Sequence, residues 1–119
     1  MCKRLFGYCC LALALTAVFV STEARADWFS CNPTEVVTFP GSRIHVGCSN
    51  SITLGGNVVR YIALATTHAE ADAFLRAGQA ALLSGLYFFV DLPVAATTNV
   101  SSCRAVDCRT PTNFGVKAR

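Results

Sequence analysis

Four cysteines carry the clearest chemistry in this sequence. Thiols in such a set can close disulfides, ligate zinc or act as nucleophiles. No two of the four are separated by only two residues, so the C-x-x-C motif of thiol oxidoreductases is absent. Zinc stays an alternative, although its sites favour closer cysteine pairs and a reducing compartment. The four are Cys31, Cys48, Cys103 and Cys108.

The amino-terminal residues indicate which of these chemistries applies. A short basic start precedes an apolar run over residues 11–20, and Ala24-Arg25-Ala26 follows. This order is typical of a secretory signal peptide that is cleaved after Ala26. The apolar run is about ten residues long, whereas a membrane-spanning helix needs about 20. We therefore expect residues 1–26 to be a cleaved signal peptide, with a retained membrane anchor as the alternative.

Residues 27–119 then form one small domain, secreted or periplasmic, with no membrane span after cleavage. Export favours disulfides for the four cysteines in this range. They allow three pairings, and the close spacing of Cys103 and Cys108 favours a local bond, which leaves Cys31 to pair with Cys48. On the chain-entropy model the shorter loop contributes about 2 kcal/mol and the longer loop about 3 kcal/mol.

The two histidines, His45 and His68, are the other side chains with chemistry near neutral pH. His45 falls on a predicted strand and His68 at a predicted helix start. Neither belongs to a nucleophile, zinc or phosphate-loop motif. We expect both to be surface residues, and the protein to be a non-enzyme without a cofactor.

Charge excludes one class of partner. Residues 27–119 hold seven lysines and arginines against six acidic residues, and the basic ones are scattered. Nucleic-acid binders concentrate basic residues in a patch or stripe, so we expect no nucleic-acid partner. Asn99-Val100-Ser101 matches a glycosylation sequon, which we interpret as a chance match.

Secondary structure must position the cysteines and histidines. The pattern of apolar, polar and turn-forming residues predicts five strands. Alternation of apolar and polar residues is clearest over 43–48, as in a half-buried strand. Residues 49–57 are rich in Ser, Asn and Gly and predict a loop that ends in a turn. The predicted strands are Glu35–Phe39, Arg43–Cys48, Val58–Ala65, Leu86–Leu92 and Asn113–Lys117.

One helix is predicted over residues 68–84, between the third and fourth of these strands. Thr67 and Glu70 match a capping box at its start, and Gly85 is a suitable end. A helix inserted among antiparallel strands indicates an α+β, mainly β fold or a small Greek-key barrel. The apolar stripe that would face the core consists of Ala71, Phe74, Leu75, Gly78 and Leu82.

Four aromatic residues form the candidate binding surface. Trp28 and Phe29 begin the mature chain, and Tyr87 and Phe89 share one face of a predicted strand. Exposed rings pack against sugars or proteins with little loss of conformational entropy. The alternative is that the sheet is covered on both faces, which would make these rings part of the core.

Several short motifs recur in a fixed order along the chain. They are Asp27-Trp28, Glu35-Val36, His45-Val46-Gly47, a helix that ends before Gly85, and the tail 101–108 with its C-x4-C pair. In these features the chain resembles the B subunits of AB5 toxins, most of all the subtilase cytotoxin type.

The resemblance implies an oligonucleotide/oligosaccharide-binding (OB-like) barrel with one inserted helix, assembled as a homopentamer. It also implies a sialylated cell-surface glycan as receptor and a separate toxin A subunit as the enzymatic partner. Arg76 and Gln79, on the helix face opposite the stripe, would line the central pore. The chain departs from the family in its shorter segment before the helix and in one cysteine, for which Cys31 is a substitute. No glycan contact of the family is matched.

A second hypothesis comes from the tail. Asp107-Cys108-Arg109 fits small uncharacterised bacterial exported proteins equally well. The alternative function is therefore a monomeric exported protein of another role, such as an enzyme inhibitor.

Overall fold

The structure, a computed structural model, describes residues 26–119. The predicted signal peptide lies outside the described residues except for Ala26, which opens the first strand. Within the described range there is no helix with the length and apolar character that a bilayer crossing requires. The elements are β1 Ala26–Cys31, β2 Pro33–Phe39, β3 Arg43–Leu54, β4 Asn57–Ala65, α1 Ala71–Ser84, β5 Tyr87–Pro93, β6 Cys108–Arg109 and β7 Asn113–Lys117.

The strands form two sheets. One is antiparallel with the order β1-β5-β7; the other has the order β2-β3-β4-β6 and is antiparallel except where β6 runs parallel to β4. The predicted α+β, mainly β class is therefore confirmed. The expected barrel is not closed among the described residues, because β6 offers only two residues at the edge opposite β2.

Strand β3 is longer than predicted, and the expectation of a loop over 49–57 was wrong. Ile52 and Leu54 return to the core after three exposed polar residues. A register shift against β4 lies in this interval: Val46 pairs with Ile62, whereas Ile52 pairs with Val59, so the buried face of β4 changes phase while that of β3 does not. The turn itself is as predicted: Gly55 and Gly56 have φ of 54° and 81°, as a two-residue type I′ hairpin requires.

Helix α1 begins at Ala71, three residues later than predicted. The N-cap residue, Glu70, makes no capping hydrogen bond through its side chain. Instead its amide donates to Nδ1 of His68 at 3.0 Å, and this local turn replaces the expected capping box. The helix ends as predicted at Gly85, which has φ of 65° and donates its amide to the carbonyl oxygen of Ala81.

The helix lies against strands of both sheets. Phe74 meets Phe88 and Phe114 edge-on, with ring centroids 5.2 and 5.3 Å away. Leu75 and Leu82, predicted in the buried stripe, are half-buried at its border. The buried residues of α1 are Ala71, Phe74, Gly78 and Ala81.

Gly78 allows this close packing. A Cβ at this position would lie 3.0 Å from Cγ2 of Val46 and 3.3 Å from Cγ2 of Val36. A larger residue would force these valine side chains or the helix itself to shift, on a sheet face that supplies much of the core.

Both predicted disulfides are present. Cys31 on β1 pairs with Cys48 on β3, and therefore joins the two sheets at the point where the chain crosses from one to the other. Asn50 supports the same crossing, since it accepts from the amide of Asn32 and donates to the carbonyl of Ser30. The second bond, Cys103–Cys108, closes the loop before β6.

Replacing Phe74 with Ala should lower the free energy of unfolding by about 3–5 kcal/mol, because this fully buried ring joins helix and sheets. Leu83→Ala on the same helix is the matched control. Leu83 is 84% exposed, so its loss should cost less than about 0.5 kcal/mol. Urea unfolding of both variants measures the difference, and equal losses would contradict the packing described here.

The two disulfides should differ in their contribution to stability. Loss of the longer loop alone should make Cys31→Ala/Cys48→Ala lower the free energy of unfolding by about 3 kcal/mol. Cys103→Ala/Cys108→Ala should lower it by about 2 kcal/mol. The first pair also leaves an unfilled space among buried side chains, which widens the gap. Urea unfolding without reductant measures both; a larger loss from the second pair would overturn this ranking.

Candidate functional site

Two exposed surfaces bring together side chains that could bind a ligand. The first, called the aromatic face, is the outer side of the three-stranded sheet, formed by Trp28, Tyr87, Phe89, Lys117 and Arg119. Alternation along β5 produces it: Phe88, Val90 and Leu92 are buried, while the residues between them point the other way. Trp28 on β1 lies on the same outer side.

Trp28 and Phe89 stack on each other. Their ring centroids are 4.7 Å apart with an interplanar angle of 19°, an offset-stacked geometry that aromatic pairs prefer. Trp28 remains 46% exposed. Apolar rings grouped on a protein surface are typical of a binding site.

Two cations lie over the rings of Phe89 and Tyr87. Nζ of Lys117 lies 5.0 Å from the centroid of the Phe89 ring, and the guanidinium of Arg119 lies 4.9 Å from that of Tyr87, both within cation–π range. Arg119 also donates to Oδ1 of Asn32. The rings therefore carry positive charge along one side.

Space is open beside Phe89. Gly115 on β7 is its cross-strand neighbour, and a Cβ on that glycine would meet no atom within 4 Å. The absence of a side chain there leaves open space next to Phe89.

Phe29, the fourth aromatic residue of the predicted surface, points inward and packs against the core. It follows Trp28 directly on β1, and successive residues of a strand face opposite sides. The structure thus gathers Trp28, Tyr87 and Phe89 on one face and separates Phe29 from them.

The predicted oligomer face of α1 is exposed. Arg76 is paired with Asp72, one helical turn away, at 3.7 Å, and Gln79 is also exposed. Leu83 continues this face towards the end of the helix.

The second surface, called the arginine cleft, was not predicted. It has a volume of about 230 Å³ and lies between the outer side of the four-stranded sheet and the disulfide loop. Its sheet side consists of residues on β3 and β4, and its loop side of residues around Cys103–Cys108. The lining residues are Arg43, His45, Tyr61, Ser102, Arg104, Asp107 and Cys108.

His45 lies at the floor of the cleft, with its side chain only 14% exposed. It is therefore not the surface residue that its strand position predicted, because neighbouring rings cover it: Phe39 and Tyr61 have centroids 5.1 and 5.2 Å away. Its Nε2 lies 3.3 Å from Oε1 of Glu35. That carboxylate reaches the histidine across Gly47, where a Cβ would lie 2.7 Å from Cγ of Glu35.

Arg109 holds the loop side of the cleft in place. Its guanidinium is buried, 1% exposed, and donates to the carbonyl oxygens of Cys108 at 2.8 Å and Val94 at 3.2 Å, and to Oδ1 of Asn57 at 2.9 Å. Burial lowers the pKa of Arg109. Within residues 26–119 no carboxylate is ion-paired with it, so carbonyl dipoles alone balance its charge.

Asn99 also belongs to this loop. Its Nδ2 donates to the carbonyls of Cys103 and Cys108, and its Oδ1 accepts from the amide of Thr110. Attachment of a glycan would replace one hydrogen on Nδ2 and remove one of these bonds. The sequon therefore has a structural use that is independent of glycosylation.

Metal chemistry has no donor cluster in the part of the chain that the structure describes: no three His, Cys, Asp or Glu side chains come together there. The four cysteines that zinc would have used are bonded to each other.

Comparison with known proteins gives no family for the chain. No protein-family model matches it, and a search of curated proteins finds no significant match.

Proposed function

We propose that the protein is an exported, non-catalytic binding module that attaches to cell-surface glycans through its aromatic face. The observation that carries the proposal is the stacked pair of the exposed Trp28 and the half-buried Phe89. The apolar C–H side of a pyranose ring has the size and flatness to lie on such a pair. The two disulfides are compatible with export, because such bonds persist in oxidising compartments.

The cations beside the rings favour an acidic glycan. Lys117 and Arg119 lie over the rings of Phe89 and Tyr87, so they would lie beside a sugar that is stacked on the exposed ring of Trp28 and could bind its carboxylate. A sialylated glycan, which the resemblance to AB5 toxin B subunits implies, has both an apolar ring face and a carboxylate.

Assembly into a pentamer is the second part of the proposal. A single shallow face binds a sugar weakly, and five copies raise the avidity by orders of magnitude. The exposed side of α1, from Asp72 through Arg76 to Leu83, would then face the central pore, with a separate enzymatic subunit as partner. The monomeric alternative, such as an enzyme inhibitor, predicts no assembly.

Trp28→Ala should weaken binding to an immobilised sialylated glycan at least tenfold, because the largest ring of the face is lost. Val58→Ala is the matched control: Val58 is 45% exposed, close to the exposure of Trp28, and lies on the other sheet. Enzymatic removal of the sialic acid from the same glycan should also weaken binding of the wild type. Unchanged binding by Trp28→Ala would contradict the proposal.

Light scattering should give the purified wild type a mass of about five chains, as a closed ring requires. Arg76→Glu should reduce it to one chain while circular dichroism stays unchanged. In the wild type Arg76 neutralises Asp72, whereas the variant would place two acidic residues per subunit around the pore. Arg60→Glu, an exposed change on β4, controls for net charge. A monomeric wild type would remove the pentamer and favour the inhibitor hypothesis.

A further inference from the structure

The arginine cleft is separate from the aromatic face, and its chemistry differs. It lies on the other sheet, and it is lined by polar and charged side chains rather than by an open apolar surface. Its binding properties are therefore independent of the glycan proposal.

The cleft contains two guanidiniums. Arg43 comes from β3 and lies over the ring of Phe39, 4.3 Å from its centroid; Arg104 comes from the disulfide loop. Within residues 26–119, neither arginine forms an ion pair with a carboxylate. A guanidinium presents several N–H donors in a fixed plane that matches the two oxygens of a carboxylate.

The cleft also contains an unsatisfied polar atom. Nε2 of His45 is buried without a hydrogen-bond partner, despite the nearby oxygen of Glu35, whose geometry does not make a hydrogen bond. Because this nitrogen is buried beside Glu35, a molecule in the cleft would contact the histidine as part of the floor and not through Nε2.

The arginines require a hydrogen-bond acceptor on the ligand, whereas Asp107 requires a donor. Asp107 lines the same cleft as the two arginines, and a carboxylate there would repel a bare anion but accept from a hydroxyl group. A molecule that suits the whole lining thus has one carboxylate and at least one hydroxyl donor. The volume of about 230 Å³ is below the 300–1,000 Å³ typical of drug-sized ligands, so it fits a molecule of about one sugar ring.

We propose that the arginine cleft is a second binding site, for a hydroxylated monocarboxylate of the size of one hexuronate. Arg43 and Arg104 bind the carboxylate, Asp107 accepts from a ring hydroxyl, and Tyr61 and His45 form the floor. The wall that carries Arg104 is fixed by Cys103–Cys108 and by the buried Arg109, so the site is formed before the ligand arrives.

Titration of the full, isotope-labelled protein with glucuronate tests this, with backbone amide shifts as the readout. The amides of residues 43–45, 61 and 102–108 should move, and neutral glucose should move them far less at equal concentration. Arg104→Gln should weaken glucuronate binding at least tenfold, as loss of a charged hydrogen-bond donor does. Arg104→Lys should bind glucuronate with an affinity between those of the wild type and Arg104→Gln, because lysine keeps the charge but lacks the planar guanidinium.

Arg60→Gln is the matched control, since Arg60 is exposed on β4 beside the cleft and does not line it; it should bind glucuronate as the wild type does. The indole signal of Trp28 separates the two surfaces. Shifts confined to that signal would place glucuronate on the aromatic face and overturn the proposal. Equal binding of glucose, tighter binding of inorganic phosphate, or full binding by Arg104→Gln would each overturn it as well.

Discussion

The loops that carry the cleft are held by one buried cation, Arg109. A charge taken out of water is costly unless other groups replace the water, and here the replacements are carbonyl oxygens from three separate segments: Leu54 before the β3–β4 turn, Val94 after β5, and Ala105 in the disulfide loop. Because one guanidinium satisfies all of them, these segments are fixed relative to each other. Removal of that side chain would leave several buried carbonyls unpaired at once.

A few side chains also fix the segment where the chain crosses between the sheets. Cys31–Cys48 fixes the crossing covalently, and Asn50 fixes it through hydrogen bonds to both sides. With the crossing fixed, β1 is paired along β5 in one register, and that register sets Trp28 diagonally across from Phe89. The disulfide therefore anchors the end of the strand that carries Trp28.

Local patterns in the sequence predicted much of this structure, and failed where distant segments meet. Alternation and turn chemistry gave most strands, and cysteine spacing gave both disulfides. The extension of β3 was missed because three exposed polar residues, Ser49 to Ser51, interrupt the alternation before Ile52. The cleft was missed for a different reason: Arg43 and Arg104 look like scattered surface charges until the disulfide loop folds over the sheet. Arg109 likewise gives no local signal that it is buried.

The central claim is that a glycan lies on the rings of the aromatic face, and the sequence offers a direct reporter for it. Trp28 is the single tryptophan of the chain, so the intrinsic tryptophan fluorescence comes from this face alone. Acrylamide quenching of that fluorescence, measured with and without a saturating sialylated oligosaccharide, tests the contact. A sugar stacked on the ring should shield it and lower the quenching constant. A bound oligosaccharide that leaves quenching unchanged would contradict the claim.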